Sequence, residues 1–274
     1  MEHILTLDYI KKNWEPQVGS KEAELTVWDV ASVGYKDRKI PDKESNPSLR
    51  LVTEKGMWNQ DSEILDVGCG AGIYSVAFAR ECKRVVGTDV SGGMIQAAKE
   101  NAVRYGVPNT EFHQIDWHSF ELETMGWEKQ FDLVFANMTP AVQSYHTLDL
   151  MNRASRGWCY ISKPTAWKHA VTYELLQMLG LWASYRTFDI DMLCVYDVLR
   201  LQGRFPYVDY TSDIWVHDRE LDDACENYIQ RIEMKKLLNT DQKQRIREYL
   251  EKKAVDGKIH DATEVTISML YWKV

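Results

Sequence analysis

The chain has 274 residues and carries 33 Lys and Arg against 41 Asp and Glu, which gives a formal charge of -8. Apolar residues make up 45% of it, enough for a buried core, so an intrinsically disordered chain is excluded. The acidic balance argues against general binding to a nucleic-acid backbone, because Lys and Arg supply that affinity. The length suits one large domain, or one domain with a cap or an insertion.

The five cysteines are scattered and form no C-x-x-C pair, which argues against a disulfide framework and against a thiolate zinc site. We therefore predict no metal. The N-terminal segment MEHILTLDYIKK places its lysine pair after a short apolar stretch, which does not fit a signal peptide. No run approaches the ~18 apolar residues of a membrane span. These features predict a soluble cytoplasmic protein with no membrane partner.

The predicted elements begin with a polar, mostly helical region at residues 1–60, which includes an exposed loop at 36–47. From Glu63 onward, short apolar strands alternate with helices. The predicted strands are 63–67, 84–89, 111–115, 131–136 and 158–162, and the predicted helices are 71–82, 91–105 and 143–155. This alternation predicts βαβ units and a parallel sheet with helices on both faces.

After Pro164 the alternation becomes less regular. Helices are predicted at 166–182 and 191–202, with further helical faces between 218 and 253. Strands are predicted at 207–216 and 265–273. We find no internal repeat.

A glycine-rich turn follows the first strand, in the segment ILDVGCGAGIYSVAFA at residues 64–79. Gly68, Gly70 and Gly72 allow positive φ and let a ligand lie against bare backbone. The dinucleotide fingerprint G-x-G-x-x-G needs its third glycine one residue later, and position 73 is Ile. The Lys and Ser/Thr of a Walker loop are also missing. A nicotinamide oxidoreductase is therefore disfavoured.

An acidic residue stands where a ribose ligand is expected. Asp89 ends the second strand and lies 21 residues after Gly68, close to the ~20-residue spacing of nucleotide-binding α/β units. An ionised carboxylate can accept hydrogen bonds from both ribose hydroxyls. One acid at this position is therefore chemically sufficient.

With Asp66 before it, the G-x-G-x-G turn resembles motif I of the class I S-adenosylmethionine-dependent methyltransferases. The segment VVGTDVSGGMIQAAKENA is similar to that family's second motif, and WDVASVGY at residues 28–35 resembles an upstream W-D-x-x-A-x-x-Y element. In this chain the Ala of that element comes one residue early. The resemblance covers roughly residues 25–165 and implies S-adenosyl-L-methionine as the cofactor.

The resemblance implies a role for each motif position. Asp89 would bind the ribose, Val90 and Met94 would line the adenine, and Asp116 would accept from the adenine amino group. The expected cofactor-binding set is Tyr35, Asp66, Gly68, Cys69, Gly70, Gly72, Asp89, Val90, Met94, Asp116, Trp117 and Asn137. Tyr35 would close over the methionine end, Cys69 would contribute a backbone N–H, and Asn137 would lie beside the reactive methyl.

Several of these residues also have structural interpretations. Asp66 can brace the turn, Asp116 can cap the turn before Ser119, and Trp117 and Tyr35 can be packing residues. The catalytic residue is not identified from the sequence. The candidates are His118, His146 and Asn137, together with His169, because they follow or flank the carboxyl ends of strands.

The fold implied by the resemblance is α/β, a Rossmann-like seven-stranded sheet with helices on both faces and an antiparallel final strand. We expect an N-terminal helical cap at 1–60 and a methyltransferase domain at 61–274, with a helical insertion at about 166–255. Asn137-Met138-Thr139-Pro140 lacks the aromatic residue of the N-P-P-Y motif of base-methylating enzymes. With the -8 charge, this favours a small-molecule methyl acceptor.

Two alternatives remain open, a methyltransferase acting on RNA or protein and a non-catalytic S-adenosylmethionine-binding module. The ten tryptophans bear on the acceptor, because none lies between Asn59 and Asp116. An aromatic-rich acceptor side, and a flat or partly apolar acceptor, are therefore expected. The oligomeric state is left open.

Overall fold

The computed structural model describes residues 6–15, 28–29, 32, 34–181, 189–233 and 236–274. The chain divides into two compact units. The larger unit comprises Met1–Lys163, Ile190–Asp209 and Ser268–Val274, and the smaller comprises Pro164–Asp189 and Tyr210–Ile267. Three residues of the WDVASVGY segment, Val30, Ala31 and Val33, lie outside the described residues, as does the predicted helix end at 182.

Seven strands form one sheet. They are β1 (Glu63–Val67), β2 (Arg84–Asp89), β3 (Thr110–Gln114), β4 (Phe131–Asn137), β5 (Ser155–His169), β6 (Tyr207–Glu220) and β7 (Lys258–Lys273). Their order is β3-β2-β1-β4-β5-β7-β6, and β1 to β5 pair in parallel. The last strands run antiparallel to the others, so the predicted α/β sheet with an antiparallel final strand is confirmed.

The described helices are α1 (Leu7–Asn13), α2 (Pro47–Glu54), α3 (Ile73–Ala79), α4 (Gly92–Tyr105), α5 (Tyr145–Ala154), α6 (Ala170–Met178), α7 (Ile190–Leu201), α8 (Leu221–Glu233) and α9 (Thr240–Lys253), with a 3-10 turn at Leu122–Met125. Helix α4 is capped at both ends. The Ser91 hydroxyl accepts from the Met94 N–H, and Gly106 ends the helix in the left-handed conformation. Asn46 caps α2 in the same way, and Pro47 occupies its first turn.

The sheet of the larger unit carries an aromatic layer. Phe135 of β4 stacks on Tyr160 of β5 with ring centroids 4.8 Å apart, and Phe78 of α3 meets Phe135 edge-on at 5.1 Å. Such pairs stabilise a core beyond simple area burial. Trp14, Trp117, Trp127 and Trp272 lie in a second cluster of buried residues. These four tryptophans therefore pack in the core.

A buried ion pair joins distant segments of the larger unit. The Lys163 ammonium, at the end of the unit's part of β5, donates to Asp191 Oδ2 at 2.6 Å and to the Val142 carbonyl at 2.7 Å. The Trp14 indole N–H donates to the other oxygen of Asp191 at 2.9 Å. The charge of Lys163 is therefore compensated, as a buried charge requires.

The smaller unit has its own core of buried residues from α6, α8, α9 and β7. Its polar centre is Asp261 of β7, which is 1% exposed and accepts a 2.5 Å hydrogen bond from the Tyr228 hydroxyl of α8. On the same face of β7, Thr263 lies 2.7 Å from Nδ1 of His169. Residues along Lys258–Val265 alternate between exposed and buried.

Three strands are longer than the sequence predicted. β5 continues past Pro164, β6 extends to Glu220, and β7 begins at Lys258 instead of 265. In the early part of β7, two of the four buried positions are the polar residues Asp261 and Thr263. The apolar alternation that signals a strand is therefore hidden. The predicted boundaries at residues 60, 166 and 255 stay predictions. None of the helices in the described ranges is long and apolar enough to cross a membrane.

Candidate functional site

The glycine turn after β1 adopts a backbone that requires glycine. Gly68, Gly70 and Gly72 have φ values of 66°, 55° and 73°. A Cβ on Gly68 would lie 1.9 Å from Thr139 Oγ1, and one on Gly72 would lie 2.9 Å from the Ala98 Cβ. Two of the three positions are thus closed to a side chain by their neighbours as well as by φ.

The carboxylate of Asp89 organises the turn. Its Oδ2 accepts from the Gly70 N–H at 2.9 Å, and its Oδ1 accepts from the Ser91 N–H at 2.9 Å. Burial raises the pKa of Asp89, and these backbone hydrogen bonds oppose that rise. Each oxygen has a further lone pair, so the group can accept from a ligand without losing its backbone partners.

Asp66 lies in β1, and its side chain is buried. It is 2% exposed, and its Oδ2 accepts from the Ser75 hydroxyl of α3 at 2.6 Å. Burial raises the pKa of Asp66 to about 7, while the Ser75 hydrogen bond opposes the rise. This geometry fits the bracing interpretation, in which Asp66 joins β1 to the helix that follows the turn.

Cys69 does not present its N–H as expected. That N–H donates to the Thr88 carbonyl of β2 at 2.8 Å, so it ties the turn to the neighbouring strand. The thiol is buried, and burial raises its pKa well above the ordinary value. Cys69 therefore ties the glycine turn to β2 through its N–H, and its role in cofactor binding stays a prediction.

Val90 and Met94, the residues expected to line the adenine, lie at the start of α4. Met94 is buried with Ala71 and Ala97, and Trp28 and Tyr35 pack against this cluster. The Arg38 guanidinium lies 3.6 Å from the centroid of the Tyr35 ring. Val90 is half-buried between Asp89 and Ser91. The structure thus brings Tyr35 and Met94, two predicted site residues from distant segments, into one cluster.

Asp29 joins this cluster to the start of α4, a contact that the sequence did not predict. Its Oδ1 accepts from the Ser91 hydroxyl at 2.5 Å and from the Gly93 N–H at 3.2 Å, which fastens the segment of Trp28 and Tyr35 to the start of α4. These bonds lower the pKa of Asp29. The sequence offered one signal for this contact, the position of Asp29 directly after Trp28 in the WDVASVGY segment.

The residues after β3 serve local structure. Asp116 Oδ1 accepts from the His118 N–H at 3.1 Å, and its Oδ2 accepts from the Ser119 hydroxyl at 3.2 Å. Trp117 is 3% exposed and donates from its indole N–H to the Thr147 carbonyl at 3.2 Å, and it stacks on Phe120. The geometry favours the capping interpretation of Asp116 and the packing interpretation of Trp117, because the hydrogen-bonding groups of both side chains have partners within the loop and the core.

Asn137 ends β4 within a hydroxyl network. Its Oδ1 accepts from Ser48 of α2 and from Ser162 of β5, both at 2.7 Å. The Tyr160 phenol lies near the same two hydroxyls. Burial raises the pKa of Tyr160, and the Ser48 and Ser162 hydroxyls oppose that rise. Ser48 and Ser162 were not predicted, since a single serine in a helix or strand carries no motif.

The candidate histidines are dispersed. His118 is half-buried after β3, and His146 is exposed in the first turn of α5. His169 belongs to the smaller unit, where its ring pairs with Thr263. Within the described ranges, no group of three or more His, Cys, Asp and Glu side chains is arranged to hold a metal ion. No histidine is singled out as a base by this geometry.

Comparison with known proteins gives one family match that covers most of the chain. Residues 59–255 match the model described as a methyltransferase domain. Among solved structures, a protein from Bacillus halodurans described as a methyltransferase has a TM-score of 0.51 at 17% identity, and the match covers 83% of this chain and 99% of that one. At this identity the likeness shows a shared fold.

Curated relatives match over a shorter stretch. A 23S rRNA (uracil(1939)-C(5))-methyltransferase from Aeromonas salmonicida is 36% identical over 88 residues, which are 31% of this chain and 20% of that protein. Its counterpart from Xanthomonas euvesicatoria is 41% identical over 56 residues, or 20% of this chain and 13% of the relative. The chain thus spans about a fifth or less of the length of these relatives.

Proposed function

The chain belongs to the methyltransferase domain family, and on this premise we propose that it transfers the methyl group of S-adenosyl-L-methionine to a small-molecule acceptor. The observation that carries the proposal is the turn after β1. Three positive-φ glycines there leave bare backbone beside the Asp89 carboxylate. Exposed backbone and a neighbouring acid are what a nucleoside-containing cofactor needs at the carboxyl edge of a parallel sheet.

The residues present fit that cofactor. Asp89 would accept from the ribose hydroxyls, and Gly68 and Gly70 would let the methionine part approach the chain closely. Val90 and Met94 would form the apolar side for the adenine, with Tyr35 closing the methionine end. Asp66, Cys69 and Gly72 would hold the turn from behind, through Ser75, Thr88 and Ala98. In this proposal Asp116 and Trp117 support the loop after β3.

The bound cofactor supplies a methyl carbon on positively charged sulfur, and its leaving group needs no activation. The chain must orient an acceptor atom in line with that carbon and exclude water, and such alignment can supply several kcal/mol, roughly 7 or more in favourable cases. Asn137 is the polar group at the end of β4, where the acceptor would lie. An acceptor with a weakly acidic proton would also require a base, for which His118 and His146 stay candidates.

The small-molecule acceptor is supported by charge and by the residues after β4. The formal charge of -8 opposes a polyanionic substrate. The sequence Asn137-Met138-Thr139-Pro140 provides no aromatic side chain to stack on an extruded base.

An RNA substrate is the second candidate, because the curated relatives are named as uracil methyltransferases of 23S rRNA. Carbon methylation of a pyrimidine by covalent catalysis would need a reactive thiolate. Burial raises the pKa of all five cysteine thiols of this chain, to about 11 for the half-buried Cys194 and about 12 for Cys159. Covalent cysteine catalysis is therefore not supported by these residues.

The test is a metabolite-extract screen with cofactor labelled at its methyl group, run in parallel with total RNA and with a protein extract. Mass spectrometry then identifies the labelled products. Label in one small molecule is expected, while label confined to RNA or protein would replace the proposal with the corresponding alternative. No label in any fraction, despite cofactor binding, would support a non-catalytic binding module.

Cofactor binding has its own measurement. S-adenosylmethionine and S-adenosylhomocysteine are expected to raise the melting temperature, because a ligand that binds the folded state stabilises it by mass action. NAD is the matched control and is expected to leave the melting temperature unchanged. Stabilisation by NAD alone would contradict the arrangement proposed for the turn.

A further inference from the structure

Met138, directly after β4, has a backbone conformation that is unfavourable for its residue type. Its φ is 55°, in the left-handed region where a Cβ meets the neighbouring carbonyl oxygen. Its side chain is 36% exposed, so burial of an apolar group does not explain the conformation. A strained residue persists only where the surrounding structure imposes it.

The neighbours of Met138 impose this geometry from both sides. Asn137 is held by the Ser48 and Ser162 hydroxyls, and the Met138 N–H donates to the Ser162 carbonyl at 3.0 Å. On the other side, the Thr139 hydroxyl accepts from the Ala141 N–H at 3.1 Å and lies against Gly68. The chain therefore passes from the end of β4 to the glycine turn within one residue, and that residue is Met138.

Within the described ranges, two other non-glycine residues have positive φ, and each has a local reason. Lys129 has a φ of 53° and donates from its ammonium to the carbonyls of Asn152 and Ser155, both at 2.9 Å. Asp256 has a φ of 49° and precedes Gly257 in a tight turn, where Asp-Gly pairs are favoured. Met138 has neither a polar side chain nor a hairpin turn to offset the strain.

We infer that Met138 is a specificity-determining residue whose thioether side chain contacts an apolar or aromatic face of the methyl acceptor. The inference rests on the proposed function and deepens it. Because Thr139 touches Gly68, Met138 is placed between the cofactor turn and the end of β4. A methionine at such a position offers a flexible, polarisable surface that suits a flat ring.

The test compares four variants in the metabolite-extract assay with methyl-labelled cofactor. Met138→Gly and Met138→Ala are expected to lower labelling of the main product by about tenfold or more, because a lost apolar contact in a pocket has effects of that size. Met138→Leu, which keeps the apolar volume, is expected to stay within about threefold of the original chain. Asp256→Gly is the matched control for positive φ and is expected to label normally.

Two measurements separate a local role from misfolding. All four variants are expected to bind S-adenosylhomocysteine with an affinity within about twofold of the original chain by calorimetry. Met138→Gly is expected to melt within about 2 °C of it, because relief of strain offsets the added chain entropy of glycine.

Equal labelling by the original chain, Met138→Gly and Met138→Ala would overturn the role of Met138 while leaving the proposed function intact. So would an equal loss in Asp256→Gly. Absence of any labelled small molecule with the original chain would instead overturn the proposed function, and this inference with it.

Discussion

The two halves of the sheet's carboxyl edge are built differently. Beside β1 and β2, the site consists of backbone: three glycines with positive φ, and one carboxylate that bonds two N–H groups. Beside β4 and β5, it consists of side chains, with Ser48 and Ser162 holding the amide of Asn137 and with Met138 strained beside them. The first half therefore suits a ligand of fixed shape, and the second can vary with the acceptor.

The largest effect is expected at Gly68, where the backbone-built half contacts Thr139 of the other half. Gly68→Ala is expected to lower the free energy of unfolding by about 3 kcal/mol, because a Cβ would overlap Thr139 in addition to straining φ. Gly106→Ala is the matched control, since Gly106 has the same φ of 66° and has nothing within 4 Å of its Cβ position. It is expected to lose only about 1 kcal/mol. Equal losses in urea unfolding would mean that the contact between the halves is unimportant.

The next effect depends on pH. Since the pKa of Asp66 is raised from 3.8 to about 7, the folded chain keeps a proton that the unfolded chain releases. The resulting stability is fully present below about pH 4 and is lost as pH rises to about 7. As the pH rises from 5 to 8, the free energy of unfolding of the original chain is expected to fall, relative to that of Asp66→Asn, by on the order of 2 to 3 kcal/mol. Urea unfolding measures this difference. The same difference in free energy of unfolding between the two chains at pH 5 and at pH 8 would contradict the raised pKa.

Cofactor affinity should respond at Asp89. Asp89→Ala is expected to weaken S-adenosylhomocysteine binding by about 10- to 100-fold, because charge-assisted hydrogen bonds are lost and the turn loses its brace. Calorimetry measures the change. Asp132→Ala is a suitable control, since Asp132 is a carboxylate at the opposite end of β4 that pairs with Arg156. Unchanged affinity in Asp89→Ala would show that another residue holds the ribose.

The smallest expected effect concerns the segment that covers the first half. Asp29→Asn keeps the shape of the side chain but weakens its bonds to Ser91 and Gly93. We expect S-adenosylhomocysteine to bind about two- to fivefold more weakly, with no change in melting temperature without ligand. Asp37→Asn, on the same segment and paired with Arg104, serves as a control with an exposed ion pair. An equal loss of affinity in Asp29→Asn and Asp37→Asn would mean that the change in net charge weakens binding, and not the loss of the Asp29 contacts.

The backbone-built half of the site could be predicted because its chemistry requires particular residue types. Positive φ requires Gly68 and Gly72, and the end of β2 requires an acid, so spacing alone predicts the turn and Asp89. The methyltransferase family is confirmed by the family match, and the α/β fold is confirmed by the observed sheet. The roles of the individual site residues stay predictions.

The side-chain half could not be predicted, since its contacts join positions far apart in the chain. Ser48 and Asn137 are separated by 89 residues, and Asn137 and Ser162 by 25. A serine fits many environments, so neither pairing leaves a local pattern. Trp117 had two interpretations, a ligand wall and a packing residue, and its position after β3 could not choose between them because the core competes for the same indole. The early part of β7 was missed for a related reason, as its buried positions include Asp261 and Thr263.

The bond from Trp14 to Asp191 bears on how the chain assembles during synthesis. It spans 177 positions, whereas the glycine turn and its partners are complete once Thr139 has been made. On the ribosome, where synthesis proceeds at about 5 to 20 residues per second, the glycine turn and its partners can come together seconds before Asp191 is available to α1. Helix α1 therefore waits on a residue made much later, whereas Lys163 is made only 28 residues before Asp191, to which it donates.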